Sequence, residues 1–475
     1  MSESLKHKAF KGAIWASCEK FGVMGLQFIV NLILARLLSP ADFGAIGLIY
    51  IFIAVSQTLI DGGFGAALIQ KKEPSQVDYS TSFYWNLVLA LILYVALFLC
   101  SGIISDFYRI PELANILKVL GLSLIINSLV IIPKNRLQKN LSFKAIALIN
   151  LSALIVSSAI AVSLAYLGYG VWSLVFYTLF QGFFQALLLW VATKWHPSFA
   201  FSFDVCKQLF SYGGFLLASN ILQTICQNLQ GLIIGRKFSA VQMGYYSQAQ
   251  KLDQVFSYSI PQIIVQVMFP VFSSLQDDYK KLGDAAIKVM RIIGFMIFPL
   301  MAILILEAKE LINIFYGEKW LPAVPYFRIL CVGGLFVCLQ NINFYVVASV
   351  GKSKTLFYWS FYKWGFLILA LLVGMNFGME GLLWGMVVSS FNIFMTNAAL
   401  VQKFIGLKIL RQLRNLIPSF IISILCGFLC YELKVHIISN SIISTILYIC
   451  IYNIILKYFS PNSFNDIFIL IKKRI

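Results

Sequence analysis

The stretch LILARLLSPADFGAIG (Leu32–Gly47) returns 200 residues later as LIIGRKFSAVQMGYYS (Leu232–Ser247), aligned without a gap. Five of the sixteen positions are identical: Leu32/Leu232, Ile33/Ile233, Arg36/Arg236, Ser39/Ser239 and Gly44/Gly244. Each copy reads as a helix end, a turn and a new helix start. Arg36 and Arg236 fall in a last helical turn, where a cation offsets the negative end of the helix dipole and snorkels toward polar surroundings. Ser39 and Ser239 are good N-caps, and Pro40 suits the first helical position. Asp42 and Gln242 take the third position, from which a side chain returns a hydrogen bond to the cap. Gly44 and Gly244 follow in the first turn, where a missing side chain lets helices approach closely. The phrase predicts a tight helix-to-helix corner, written twice.

Composition fixes the surroundings of these corners. Of the 475 residues, 60% are apolar and 12% charged, and the mean hydropathy is +0.84. A soluble globular protein carries about 25% charged residues. Stretches of about 20 apolar residues with few charges are candidate membrane spans. We read fourteen of them, the first at 13–35 and the last at 437–457. The fold class is therefore all-α, a polytopic membrane protein. The first span carries Glu19, Lys20, Gln27, Asn31 and Arg36 and lacks a cleavage site before a polar mature chain, so it reads as a retained helix. No gap between spans is long enough for a soluble catalytic domain. No enzymatic activity, cofactor or metal is expected.

The net charge of +18 would suggest nucleic acid in a soluble protein, but its distribution points elsewhere. With the N-terminus inside, cytoplasmic segments hold 25 lysines and arginines and the opposite side holds seven. That asymmetry is the positive-inside pattern, and it places both termini in the cytoplasm. Attraction to anionic lipid is a secondary effect, and nucleic acid is not an expected partner. The nine cysteines fall mostly inside spans without a CxxC pair, and His7, His196 and His436 form no cluster. Cys426 and Cys430, four apart on an apolar helix, read as small buried thiols.

The repeat organises the helices. Spans one to six and seven to twelve form two halves, and the repeated phrase marks the first corner of each. Six is even, so both halves enter the membrane from the same side and are parallel repeats. The expected organisation is a six-helix lobe at 1–192, a cytoplasmic linker at 193–208, a second lobe at 209–402, and an extra helix pair with a basic tail at 403–475. Two such lobes facing each other across a central cavity make an alternating-access transporter.

Polar stripes indicate what the cavity takes. A charge at the bilayer centre costs roughly 2.5–3.5 kcal/mol on insertion scales, so intramembrane polar residues face an interior. Span one carries Lys20, Gln27 and Asn31, and span seven carries Asn220, Gln223, Gln227 and Gln230 at helical spacing. Under the 200-residue offset, Lys20 meets Asn220 and Gln27 meets Gln227. Span two offers Tyr50, Gln57 and Asp61; span eight offers Gln250, Lys251, Gln254, Tyr258 and Gln262. Span six adds Tyr177, Gln181 and Gln185. Any one of these could be satisfied by an interhelical hydrogen bond; the set suits a hydrated cavity. Among charges within or at the edges of spans, Lys20, Lys118, Lys251, Arg328 and Lys363 outnumber Glu19, Asp61 and Asp253, which favours an anionic passenger. Glu19 could pair with Lys20, and Lys251 with Asp253 or another acid. The candidate cavity residues are Lys20, Gln27, Asn31, Gln57, Asp61, Asn220, Gln223, Gln227, Lys251, Gln254, Arg328 and Lys363. A cation-coupled exporter would instead favour a buried carboxylate, with Asp61 the leading candidate.

At these residues the chain resembles a known family. LARLLSPADFGAIGLI, leading to DGGFGAALIQKKE (Asp61–Glu73), resembles the opening of the polysaccharide-export branch of the multidrug/oligosaccharidyl-lipid/polysaccharide flippase superfamily. MFPVFSSLQDD (Met268–Asp278) and FYGEKWLPAVPYFRIL (Phe315–Leu330) resemble later stretches of the same branch. The resemblance spans about residues 1–400. It implies two six-helix lobes around a central cavity and translocation of undecaprenyl-pyrophosphate-linked oligosaccharides for O-antigen, capsule or exopolysaccharide. Polysaccharide polymerase and glycosyltransferases of the same pathway would be prospective partners. The residues agree with such a passenger: Lys and Arg suit a pyrophosphate, Gln, Asn, Tyr and Trp suit sugars, and the polyprenyl tail can stay in lipid. The competing readings are a cation-coupled multidrug exporter of the same fold and a membrane glycan polymerase or ligase, which would need a catalytic surface.

Overall fold

The computed structural model describes residues 3–259, 268–436 and 441–459, and no strand occurs among them. The chain divides into two compact units, Met1–Gly244 and Tyr245–Ile475. The first holds α1 (Glu3–Leu37), α2 (Pro40–Asp61), α3 (Phe64–Gln70), α4 (Gln76–Tyr108), α5 (Glu112–Leu120), α6 (Leu122–Lys139), α7 (Phe143–Tyr166), α8 (Val171–Thr193) and α9 (Phe203–Lys237). The helix α10 (Ala240–Gln254) begins there and runs into a π-helical turn, Val255–Ser259. The second unit contains α11 (Tyr279–Leu306), α12 (Ala308–Tyr316), α13 (Val324–Ser349), α14 (Ser353–Gly374), α15 (Gly378–Ile405), α16 (Ile409–His436) and α17 (Ser441–Phe459).

Local chemistry sets the helix ends. The Ser39 side chain accepts from the Asp42 amide, and Asp42 accepts from the Ser39 amide at 2.8 Å, a complete capping box. Ser75 and Asp78 repeat the device at the start of α4, and Lys71 pairs with Asp78 at 2.8 Å. Helix α2 ends at Gly62 in the left-handed region, φ 57°, where the missing Cβ removes the penalty that other residues meet. Asp278 caps α11, accepting from the Lys281 amide and pairing with its ammonium, each at 3.0 Å; these contacts hold its carboxyl below the usual range.

In the first unit α7 packs on α8 and α1, α6 lies on α8 and α4, and α2 runs along α9. In the second, α13 packs on α15, α15 on α14, and α11 on α13 and α16. Each unit places a short amphipathic helix ahead of a long one: α5 precedes α6, and α12 precedes α13. The packing boundary at residue 244 lies beyond α9 because α9 is seated on α2. The limits expected from the repeat, 1–192 and 209–402, follow the sequence period instead.

By length and composition, ten stretches among the described residues could cross a membrane. The chain is a multi-pass membrane protein. Fourteen are not reached by this measure for physical reasons. Helix α9 is rich in amides, the eighth expected span includes residues 260–267 outside the described ones, Thr355–Ile405 runs through two helices at once, and the apolar stretch of α17, Ile443–Leu456, is short.

The final pair, α16 and α17, is integral to the second unit. Cys426, Cys430, Tyr448 and Tyr452 form a buried cluster, and the expectation of buried thiols holds. Glu307, at the end of α11, is buried and accepts from Lys434 of α16 at 2.7 Å and from Ser444 of α17 at 2.6 Å.

Candidate functional site

The two copies of the repeated phrase pack against each other. A Cβ built on Gly44 would lie 1.7 Å from the carbonyl oxygen of Ala240, and one on Gly244 would lie 1.9 Å from that of Pro40. The contact is reciprocal in the offset of the repeat: position 44 meets 240, and position 244 meets 40. Backbone therefore touches backbone at the start of α2 and α10, which only glycine permits. The polar residues of the corners are satisfied locally. Ser239 donates its amide to Gln242 at 3.2 Å and accepts the Gln242 amide at 3.2 Å, reproducing the Ser39–Asp42 box. Arg236 donates to the Phe107 carbonyl at 3.2 Å and lies over its ring.

The close approach continues along α2 and α9. Thr58 and Thr224 share a hydrogen bond of 3.1 Å. A Cβ on Gly235 would strike Leu48 at 2.3 Å, and one on Gly63 would strike the Gly213 carbonyl at 2.6 Å.

The stripe residues of the first unit divide into two classes. Lys20 and Gln27 of α1, Asp61 of α2, and Asn220, Gln223 and Gln227 of α9 are exposed; Asn31 and Gln57 are half-buried. The side chains of Gln27, Asn220, Gln223 and Gln227 make no hydrogen bond among the described residues, and Lys20 and Asp61 have no ion pair there. Other polar groups are used inside the unit. Asn127 donates to Gln57 at 3.4 Å, and Gln230 turns back to the Gln227 carbonyl at 2.6 Å. Gln185 donates to Asn150 at 2.7 Å, and Asn150 donates to Glu19. Glu19 is thus engaged by Asn150, not by Lys20, and this chain ties α1, α7 and α8 together.

In the second unit Lys251 and Gln254 are exposed on α10, whereas Asp253 between them is 8% exposed. Its Oδ2 accepts from Ser257 of the π-helical turn at 2.8 Å, so Asp253 is not the partner of Lys251. Arg328 is exposed, with Nε donating to the Ile305 carbonyl in the last turn of α11 at 3.1 Å. Lys363 is half-buried, its ammonium 4.4 Å from the centre of the Trp364 ring. Gln262 lies outside the described residues.

Sequence reasoning did not single out two charged sites. Glu307 directly follows an apolar run, and only the folding of α16 and α17 onto α11 reveals its partners. Arg136 lies 5.4 Å from the Tyr79 ring centre and 5.7 Å from that of Trp195, a cradle built from three separate elements. Neither leaves a short-range signal in the sequence.

Comparison with known proteins follows from this geometry. The chain matches the family described as Polysaccharide biosynthesis protein over residues 33–325. It is 29% identical to the lipopolysaccharide biosynthesis protein WzxC of Escherichia coli (strain K12), over 78% of this chain and 76% of that one. It is 26% identical to the teichuronic acid biosynthesis protein TuaB of Bacillus subtilis (strain 168), over 75% of this chain and 74% of the relative. Its fold is similar to that of the lipid II flippase MurJ in an inward closed conformation. The TM-score is 0.75 at 14% identity, over 94% of this chain and 99% of that one.

Proposed function

We propose that this chain, which belongs to the polysaccharide biosynthesis protein family, flips undecaprenyl-pyrophosphate-linked oligosaccharides across the bacterial inner membrane by alternating access. The observation that carries the reading is the exposure of Gln27, Asn220, Gln223 and Gln227 along α1 and α9 without partners. Amides at membrane depth cannot face hydrocarbon without leaving hydrogen bonds unmade. They therefore line water, and a water-lined path through a bilayer helix protein is a transport path.

The chemistry of the passenger follows from what that path presents. Amides both donate and accept, as sugar hydroxyls do. Lys20, Lys251 and Arg328 supply exposed cations for a pyrophosphate, which Arg and Lys bind by charge-assisted hydrogen bonds. The polyprenyl tail would remain in lipid, so the protein moves only the polar head. In this reading the repeats are the lobes 1–192 and 209–402, and the reciprocal Gly44/Gly244 contact joins their first corners on the outer side. Both termini are cytoplasmic, so a cysteine placed at 134–144 should resist impermeant reagents in intact cells while one at 309–319 reacts.

The test is export in a strain lacking its own flippase. Replacing Lys251 and Lys363 together by Gln removes two cations while keeping hydrogen-bonding capacity. Export should fall with membrane protein level unchanged. Full export by the double variant would remove these lysines from the path, and failure of the unmodified chain to restore export of the repeat unit would end the reading.

A further inference from the structure

Three connections of the first unit converge on one cavity of about 330 Å³: the start of α2, the first turn of α5, and the α7–α8 loop running into α8. The positive-inside pattern assigns this end of the unit to the outer side. Its lining includes Asp42, Glu112, Asn115, Tyr169, Gly170 and Trp172, and no lysine or arginine.

The residues define what can bind. Asp42 uses Oδ2 in the capping box, accepting the Ser39 amide at 2.8 Å and the Ser39 hydroxyl at 2.6 Å. Its other oxygen, Oδ1, is directed at Gly170, 3.3 Å from where a Cβ on that glycine would stand. Gly170 has φ 55° and ψ −131°, a conformation that side chains other than hydrogen rarely adopt, so the cavity stays open at this wall. Glu112 and Asn115 are exposed, and neither forms a side-chain hydrogen bond or ion pair among the described residues. Tyr169 is 54% exposed and Trp172 half-buried, so aromatic surface lies beside the carboxylates.

Ionised carboxylates only accept hydrogen bonds, so the ligand must bring donors. Without a cation in the lining, an anionic ligand would meet two uncompensated negative charges. A metal ion is not favoured either: the lining holds only two carboxylates, and no group of three or more His, Cys, Asp or Glu that could hold a metal occurs among the described residues. A sugar ring meets every condition. Its hydroxyls donate to carboxylates, its CH faces lie on aromatic rings, and a hexose or disaccharide fits the volume. The geometry points to an exit subsite for an uncharged or amino sugar of the passenger, separate from the path that handles its pyrophosphate. This rests on the flippase reading, since that reading supplies the glycan.

The probe is the free oligosaccharide repeat, released by mild acid from the producing cell's own lipid-linked precursors. Saturation-transfer NMR on the detergent-purified full chain should show transfer to sugar ring protons, with and without EDTA. Trp172→Ala and Glu112→Gln should each abolish transfer with the thermal unfolding midpoint unchanged. The more conservative Trp172→Phe should retain part of it, which keeps the test open if the alanine variant folds poorly. Transfer that persists in the Trp172→Ala, Glu112→Gln double variant would overturn the subsite, as would transfer that requires added calcium. Absence of transfer in a chain that exports normally would refute the subsite and leave the flippase reading intact. Absence of export by the unmodified chain would refute that reading instead.

Discussion

The corners and the stripes lie on the same helices and treat polar groups in opposite ways. At Ser39–Gly44 and Ser239–Gly244 each hydroxyl, amide and carboxylate of the caps is bonded within one turn, and glycine brings backbone against backbone. Further along α1 and α9, Gln27, Gln223 and Gln227 hold their amides exposed and unbonded among the described residues. Polar residues that fold the chain are recognised by their partners, and the proposed path is marked along these two helices by amides that lack them. Substitutions should therefore separate the two regions, with stability changing at the corners and export at the stripes.

The largest stability effect is expected at Gly44→Ala. The added methyl would sit 1.7 Å from a backbone carbonyl, which cannot turn aside as a side chain would. We expect a loss of about 3 kcal/mol, the upper end for overpacking, read as a lower unfolding midpoint and less protein in the membrane. Gly47→Ala is the internal control: its methyl meets the flexible Met243 Cε at 2.8 Å, so the loss should be clearly smaller. Equal losses would mean that backbone contact is not what holds the corner.

Next comes Ser39→Ala, which removes a cap and should cost about 1 kcal/mol. Ser239→Ala should cost less. Its box uses neutral Gln242 at 3.2 Å, whereas Asp42 accepts the Ser39 amide at 2.8 Å and carries a charge. Thermal unfolding of both variants in one detergent ranks them, and the reverse order would contradict the account of the two caps. For both, export should fall only as far as protein level falls.

The smallest stability effect belongs to the stripe. Gln223→Leu with Gln227→Leu replaces two exposed amides and should change stability by no more than about 0.5 kcal/mol. Export should nevertheless drop severely at normal protein level. Retained export would place these amides outside the transport path.

Much of this was legible in the sequence because its signals are local. A cap and its partner lie three residues apart, so Ser39–Asp42 and Ser239–Gln242 could be read directly. The helical class followed from apolar runs, and the family from the residues around the first corner. What the sequence could not convey is which distant groups meet. Glu19 had an obvious neighbour in Lys20 but is engaged by Asn150, 131 residues away. Gly44 announced a close approach without saying that its partner is the other copy of its own phrase. The stripes were visible as periodicity, but exposure separates Gln223 from the bonded Gln185, and exposure is a property of packing. The count of crossings was least legible, because α9 mixes the composition of a span with that of a hydrated surface.

The central claim is movement of a lipid-linked oligosaccharide between leaflets, and leaflet accessibility tests it most directly. In spheroplasts of a strain lacking its own flippase, radiolabelled lipid-linked repeats would be exposed to an impermeant lectin or glycosidase. With the chain present, labelled repeats should become accessible from outside, and the Gln223→Leu, Gln227→Leu variant at equal protein level should leave them protected. Repeats that remain protected in the presence of the normal, fully expressed chain would contradict the account.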